Sequence, residues 1–229
     1  MQAALILMSS APVAGETTIK LESHFKDDES VELHKAFLKD LSTKFLNFKK
    51  SCSRLDLYLS YTPEESVNLF ADLVGEDFER LPQSGNDQGE RMYNAAVYAY
   101  QKSNLPVIIT DFKFPLLDLD IFTEALAGLK ERDLVIGPSL KGDYYLLGMQ
   151  KPADFLFEPD ICRNCSILEK TIRSASQHNL KTHFLPETFG LNTFKDLLQL
   201  RAEISKKEKG LNYPLNTKEA IDKLLAPGS

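Results

Sequence analysis

The 229-residue sequence contains no tryptophan, only three cysteines, and no apolar stretch that approaches the roughly 20 residues of a membrane helix. The first 15 residues, MQAALILMSSAPVAG, superficially suggest a secretory signal. They lack a charged n-region, however, and their apolar core, Ala3–Met8, is short. The sequence therefore predicts no membrane span, and a buried first strand explains the segment better than a signal peptide does.

Cysteine is too scarce for a disulfide framework, because Cys52, Cys162 and Cys165 are few and odd in number. A reducing cytoplasm is the simpler environment, so we expect a cytoplasmic protein. Cys162 and Cys165 have C-x-x-C spacing, but a zinc site would need a second ligand pair, and none is nearby. The pair is either two incidental thiols at a helix start or a redox pair.

A concentrated positive charge is also missing, since the formal net charge is −6 and the pI is about 5.3. Without a basic block the chain lacks the electrostatic footprint of a nucleic-acid binder. The composition, 43% hydrophobic and 26% charged, is ordinary for a globular protein. We expect one domain over residues 1–229, with a core at about 3–200 and a helical tail at 201–229.

Strand and helix patterns alternate along almost the whole chain. The predicted strands are Ala3–Met8, Leu55–Tyr61, Glu79–Pro82, Pro106–Thr110, Leu134–Ile136, Tyr144–Met149 and Thr182–Leu185. The predicted helices are Val31–Phe48, Thr62–Leu73, Gln88–Lys102, Asp118–Lys130, Cys165–His178, Thr193–Ser205 and Thr217–Leu225. This order predicts a mostly parallel sheet with helices on both faces, a three-layer α/β/α fold. The phenylalanines of Val31–Phe48 either pack on that sheet or support a homo-oligomer.

Four loops follow strands and are candidates for a ligand site, because ligands of open α/β sheets bind at the strand ends. They are Ser10–Leu21, Gln83–Met92, Thr110–Pro115 and Lys141–Tyr145. Arg91, in a first helical turn, suits an anionic ligand or pairs with Asp87 or Glu90. The other three loops are also compatible with ordinary turns.

The segment IGPSLKGDYYLLGM, residues 136–149, resembles the "GPa.DGGYyLiGl" signature of a bacterial glycosyltransferase-like family. That family was long carried as a domain of unknown function, is often found beside radical-SAM genes, and belongs to the nucleotide-diphosphosugar transferase (GT-A) superfamily. Three further segments, APVAG, DQGERM and PVIITDFKFPLL, resemble its "kpPvpGrvKTRL", "dLGeRM" and "vviiGtDsPdL" motifs, and FGLNTFKDL resembles "DiDTpeDL". The resemblance runs from about Ala3 to Leu200 and implies a GT-A, Rossmann-like fold.

The resemblance also implies carboxylates that hold Mg²⁺ or Mn²⁺, and here the chain departs from the family. In an ungapped match the family's aspartates fall on Lys113, Lys141, Gly190 and Asn192, and its basic "KTR" becomes Thr18-Ile19-Lys20. A two-residue shift would place Asp111 on one aspartate. Lysine cannot ligate a hard cation that prefers oxygen, whereas its ammonium can meet phosphate directly. We therefore expect no metal ligands in this chain.

The resemblance and the loops together give the expected site. Catalytic candidates are Asp111 and Asp143. Candidates for binding the nucleotide or its phosphates are Pro12, Gly15, Lys20, Gly89, Arg91, Lys113, Lys141, Tyr144 and Asn192. We expect a glycosyltransferase-like protein that binds a nucleotide or nucleotide sugar without the usual divalent metal, and a transferase if it is active. The alternative is an inactive homologue that serves as a binding or scaffold protein.

Overall fold

A computed structural model describes residues 1–19, 21, 26–158 and 165–226. The strands are β1 (Gln2–Ser10), β2 (Arg54–Thr62), β3 (Phe78–Pro82), β4 (Val107–Asp111), β5 (Leu134–Pro138), β6 (Tyr144–Met149) and β7 (Thr182–Phe184). The α-helices are α1 (Asp27–Ser51), α2 (Gln88–Ser103), α3 (Leu119–Gly128), α4 (Ile167–Gln177), α5 (Phe194–Lys206) and α6 (Leu215–Leu224). Within these ranges, no helix combines the length and apolarity needed to cross a membrane.

The strands form one seven-stranded sheet in the order β3-β2-β1-β4-β6-β5-β7. β1 pairs in parallel with both β2 and β4, and its residues from Ala3 to Ser10 are all buried. β6 alone among these strands runs antiparallel to its neighbours, β4 and β5. The predicted mostly parallel sheet is confirmed, and the continuous apolar run of β1 is explained by a central strand covered on both faces.

Helices cover both faces of the sheet, because alternate side chains of β1 enter different clusters. Ala3, Leu5 and Leu7 pack with buried residues of α1, α3, α5 and α6. Ala4, Ile6 and Met8 pack with residues of α2 and α4. The predicted three layers are therefore confirmed. Phe37, Phe45 and Phe48 of α1 are fully buried in the first cluster, so a second copy is not needed to cover them.

The predicted helix Thr62–Leu73 is the clearest departure among the elements. A 3-10 helix occupies Glu64–Phe70 instead, and Pro63, not Thr62, lies at its N-cap. Thr62 pairs with Ser10 in the β1–β2 ladder. Because its backbone is extended for strand pairing, Thr62 does not cap the following turn, and the predicted start of the helix at Thr62 was wrong.

The C-terminal helix α6 is tied to α1 through a buried carboxylate. Asp40 accepts hydrogen bonds from the backbone N–H groups of Asn216 and Thr217 at 3.2 and 2.7 Å, and from Asn216 Nδ2 at 2.8 Å. An acid at the first turn of a helix satisfies free N–H groups and complements the helix dipole. Ile221 of α6 is buried in the core, so the tail packs on the rest of the chain.

His34 is a fully buried polar residue on α1, between the end of β1 and the loop after β4. Both ring nitrogens are hydrogen-bonded, to Ser9 Oγ at 2.9 Å and to Thr17 Oγ1 at 3.0 Å. Burial lowers the pKa of His34 from 6.5 to about 3. Between pH 6.5 and about 3 the ring is therefore neutral in the folded protein, whereas an unfolded histidine is charged.

This burial predicts a loss of stability in acid. Between pH 6.5 and about 3 the unfolded chain takes up a proton at His34 that the folded chain refuses, so stability falls as pH falls. The expected slope from this residue is about 1.4 kcal/mol per pH unit. In urea denaturation from pH 7 to pH 4, His34→Gln should show a shallower acid decline than the unsubstituted protein. His178→Gln, at an exposed position, should retain the original slope. Equal slopes for all three proteins would contradict the assignment.

Candidate functional site

A cavity of about 460 Å³ opens at the edge of the sheet where β1 and β4 end and β6 begins. β6 contributes its first residue, not its last, because it runs antiparallel to β4. Helices α2 and α4 and the 3-10 helix Asp154–Leu156 supply the remaining walls. The cavity-lining residues include Ser9, Ser10, Gln83, Gly89, Arg91, Asp111, Phe112, Lys113, Asp143, Tyr144, Phe157, Lys170 and Thr171.

Two carboxylates in the cavity are close enough to influence each other. Burial raises the pKa of Asp111, and the charge of Asp143 raises it further. The charge of Lys113 and its backbone N–H, which donates to Asp111 Oδ1 at 2.8 Å, act in the opposite direction. Asp143 Oδ1 is buried and has no hydrogen-bond partner among the described residues. A cationic group beside Asp111 is therefore favoured in this cavity.

Positive charge reaches the same cavity from three segments: Arg91 on α2, Lys113 after β4 and Lys170 on α4. Arg91 Nε donates to the Gly85 carbonyl oxygen at 3.2 Å. Asp87 and Glu90, the two acids that the sequence offers as partners of Arg91, instead accept hydrogen bonds from backbone N–H groups at the start of α2. Asp87 accepts from Glu90 N–H at 2.9 Å, and Glu90 accepts from Asn86 N–H at 2.8 Å.

The glycine of the DQGERM segment is needed for close packing. A Cβ atom on Gly89 would lie 2.5 Å from the carbonyl oxygen of Phe157, a backbone atom. The first turn of α2 therefore approaches the Phe157 segment, which forms the opposite wall of the cavity, more closely than a side chain permits. This contact joins two elements that are far apart in the sequence.

The structure brings together six of the predicted site residues: Asp111, Asp143, Gly89, Arg91, Lys113 and Tyr144. Of the others, Pro12 and Gly15 lie in the loop after β1 but are not among the cavity-lining residues, and Gly15 has a φ of 85°. Lys20 lies outside the described residues.

Lys141 and Asn192 are not among the cavity-lining residues, and both contact Asp196. Lys141 Nζ is 3.8 Å from Asp196 Oδ2. Asp196 also accepts from the backbone N–H groups of Asn192 at 3.1 Å and Thr193 at 2.8 Å, which caps the start of α5. The turn at Lys141, within the segment that resembles the family signature, therefore packs against α5.

Several lining residues were not predicted. Gln83 Nε2 donates to the carbonyl oxygens of Ser9 at 3.3 Å and Ser60 at 2.9 Å, which joins the ends of β1 and β2. Ser10 Oγ is buried and has no hydrogen-bond partner among the described residues. Gln83 is the first residue of the candidate loop Gln83–Met92, which is a sequence signal for its role. Ser10 has no comparable signal, because serine is common at strand ends.

Helix α4 forms a wall that no motif indicated. Burial raises the pKa of Tyr144 to about 12, and its hydroxyl is hydrogen-bonded to Thr171 of this helix. Lys170 lines the cavity beside Thr171.

Cys165, just before α4, is disulfide-bonded, so the interpretation as incidental thiols is wrong there. Cys162 lies outside the described residues.

The cavity combines carboxylate oxygens with a neighbouring ammonium group. Within residues 1–19, 21, 26–158 and 165–226, no group of three or more His, Cys, Asp or Glu side chains could hold a metal ion. Asp111 and Asp143 offer oxygen ligands, but the charge of Lys113 acts on the same carboxylate. An ammonium beside two carboxylates neutralises charge that a metal would otherwise balance.

Comparisons with known proteins agree on the fold. A family described as "Uncharacterized protein conserved in bacteria (DUF2064)" matches residues 47–160. A protein from Desulfovibrio desulfuricans G20, described provisionally as a nucleotide-diphospho-sugar transferase, superposes with a TM-score of 0.82 at 21% identity, over 96% of both chains. No curated protein matches the sequence.

Two more distant structures have the same architecture. One is 4-diphosphocytidyl-2C-methyl-D-erythritol synthase from Anaerococcus prevotii, with a TM-score of 0.58 at 12% identity over 90% of this chain and 96% of that one. The other is a cytidylyltransferase from Leptospira borgpetersenii, with a TM-score of 0.55 at 15% identity over 97% and 94%. The predicted Rossmann-like fold of nucleotide-diphosphosugar transferases is confirmed.

The close approach at Gly89 predicts a specific sensitivity. Gly89→Ala should lower the free energy of unfolding by about 1–3 kcal/mol, because the new methyl group meets the Phe157 backbone and one wall must move. Gly210→Ala is the matched control, since a Cβ there meets nothing within 4 Å. Urea denaturation of both variants measures the difference. Equal midpoints would show that the walls are not in the contact described.

Proposed function

We propose that the chain is a member of the DUF2064 family and a nucleotide-diphosphosugar transferase-like protein whose cavity binds a nucleotide-activated donor. The fold supports the proposal, since open α/β sheets bind ligands beyond the carboxyl ends of their strands. The cavity lies at that edge, and its volume of about 460 Å³ is within the range of small-molecule sites. The similarity of the Desulfovibrio protein extends over nearly the whole chain.

One observation carries this proposal: opposite charges from separate segments meet in a single cavity. Arg91, Lys113 and Lys170 supply cations, and Asp111 and Asp143 supply carboxylates, with Asp87 and Glu158 also on the lining. The first turn of α2 adds the positive end of a helix dipole, which favours phosphate. In this proposal Arg91 and the α2 N-terminus bind the diphosphate, and the carboxylates face the reacting end of the donor.

We further propose that Lys113 replaces part of the charge that a divalent metal supplies in related sites. Its charge acts on Asp111, and it lines the cavity. An ammonium can bind phosphate oxygens directly as a point charge. Lys141 is not assigned this role, because Asp196 lies 3.8 Å from its ammonium group. The distinction separates two lysines that the signature alone treats alike.

In an active enzyme, positioning and neutralisation of the leaving diphosphate would account for most of the rate enhancement. Asp111 is the candidate general base, because burial raises its pKa toward the range useful near neutral pH. It would accept the proton of an attacking hydroxyl group on the acceptor. Tyr144, whose pKa is raised to about 12, stays protonated and can donate a hydrogen bond.

The second candidate function is a non-catalytic binding or scaffold protein on the same fold. It is favoured by the lack of a three-ligand metal group among the described residues. Function belongs to the site and not to the fold, so both candidates are compatible with the structural similarity. They differ in whether a bound donor is turned over.

The two lysines provide a direct test of donor binding. Calorimetric titration with UDP-, GDP- and CDP-sugars in EDTA should identify one that binds. Lys113→Met should weaken its Kd about 10- to 100-fold, the effect of losing a charge-assisted contact. Lys141→Met should change it less than about 2-fold.

Two outcomes of this titration would contradict the proposal. Binding that appears only after Mg²⁺ or Mn²⁺ is added would overturn the role given to Lys113. Failure of the unsubstituted protein to bind any of these nucleotides would overturn the donor site and favour the scaffold function.

Turnover distinguishes the enzyme from the scaffold. If the donor is consumed, Asp111→Asn should reduce the rate at least about 100-fold, as expected for loss of a general base. Donor affinity should be kept or improved, because a negative charge near the phosphates is removed. Release of nucleotide, followed by chromatography, measures the rate. Undiminished turnover would exclude Asp111 as the base, and no turnover by the unsubstituted protein would favour the scaffold.

A further inference from the structure

His34 contacts three segments that form the cavity, although it does not line the cavity itself. Its imidazole is hydrogen-bonded to Ser9 at the end of β1 and to Thr17 in the following loop. On its face it stacks on Phe112, with ring centroids 3.7 Å apart and an interplanar angle of 12°. Phe112 lines the cavity between Asp111 and Lys113. One buried side chain thus joins the first loop to Phe112, the residue between Asp111 and Lys113.

The hydrogen bonds through His34 have a single consistent direction, which the Ser10 carbonyl end imposes. At one end Ser9 Oγ lies 2.7 Å from the Ser10 carbonyl oxygen, which can only accept, so the hydroxyl donates there. Ser9 must then accept from His34 Nε2–H. At the other end Ile19 N–H donates to Thr17 Oγ1 at 3.3 Å, so the Thr17 hydroxyl is free to donate to His34 Nδ1.

The chain of four hydrogen bonds therefore runs from the Ile19 amide to the Ser10 carbonyl group through a neutral Nε2–H imidazole. While Ser9 donates to the Ser10 carbonyl group, it can only accept from His34, so His34 Nε2 carries the proton. Charging the ring would add a proton to Nδ1, and Thr17 would then accept from the ring and no longer donate to it. Burial of His34 disfavours that charged form and keeps the chain intact.

We propose that His34 is a positioning residue for donor binding, which holds the loop after β1 and the Phe112 ring in the arrangement that the donor requires. This inference rests on the proposed donor site. It adds that a group outside the cavity, and not on any of its motifs, sets the geometry of that site. Helix α1 acts on the donor through Ser9, Thr17 and Phe112.

Three variants separate positioning from simple stability. His34→Gln retains a group that can reach Ser9 but loses the bond to Thr17, and Thr17→Val removes the hydroxyl at nearly constant shape. Ser42→Ala is the control, because Ser42 is buried on the same helix and accepts from Gly75 N–H at 3.0 Å. All three should lower the Tm.

Only His34→Gln and Thr17→Val should weaken the Kd for the donor, by at least 5-fold, when titrated well below the Tm. The same two should increase amide hydrogen exchange in residues 13–19. Long-range ¹⁵N–¹H spectra should show His34 as the Nε2–H tautomer.

Failure of this inference and failure of the donor site are distinguishable. If the unsubstituted protein binds the donor and all three variants bind it equally well, His34 is merely structural and the inference is overturned. A His34 Nδ1–H tautomer, or unchanged exchange in residues 13–19, overturns it without any ligand. If the unsubstituted protein binds no nucleotide, the donor site is wrong, and with it the role of His34 in donor binding.

Discussion

The parallel pairing of β1 with β2 and β4 is the constraint on which the rest of the structure depends. Parallel strands need crossover connections, and the helices that make them cover both faces of the sheet. The carboxyl ends of these strands then meet at one edge, where Met8 pairs with Asp111 and both Ser10 and Asp111 line the cavity. The reversed strand β6 carries the turn residue Asp143 to the same edge. A sheet with β6 in the other direction would leave the two carboxylates at opposite edges.

Charge at this edge is balanced by contacts that are specific to each group. Burial raises the pKa of Asp111 and the charge of Asp143 raises it further, whereas Lys113 lowers it. Burial lowers the pKa of His34 to about 3, so its ring remains neutral while both ring nitrogens are hydrogen-bonded. Lys141 takes part in a different contact, with the cap of α5. The turn that most resembles the family signature thus contacts a neighbouring helix through Lys141 and contributes Asp143 to the cavity, whereas the cations of the cavity come from other segments.

Much of the fold was predictable, because apolar periodicity and strand-helix alternation are local properties. Val31–Phe48 was recognised by its spacing, and β1 by its unbroken apolar run. The conformation of Thr62 was not predictable in this way. A threonine followed by proline is typical of a helix start, yet the backbone of Thr62 pairs with Ser10 in the β1–β2 ladder. Local preference was overridden there by pairing with a residue far away in the sequence. The wall formed by Lys170 and Thr171 had no local signal at all.

The sequence by itself determined the order of elements, the α/β class and a set of charged residues that follow strands. It also carried the resemblance to the nucleotide-diphosphosugar transferases. Only the tertiary structure decided which of those charges meet: Asp111, Asp143, Arg91 and Lys113 share a cavity, and Lys141 pairs with Asp196. The physical reason is that hydrogen bonds, burial and Coulomb interactions act over a few ångströms in space, whereas periodicity records only neighbours along the chain. His34 illustrates the difference, because nothing in its sequence neighbourhood indicates the three segments that it joins.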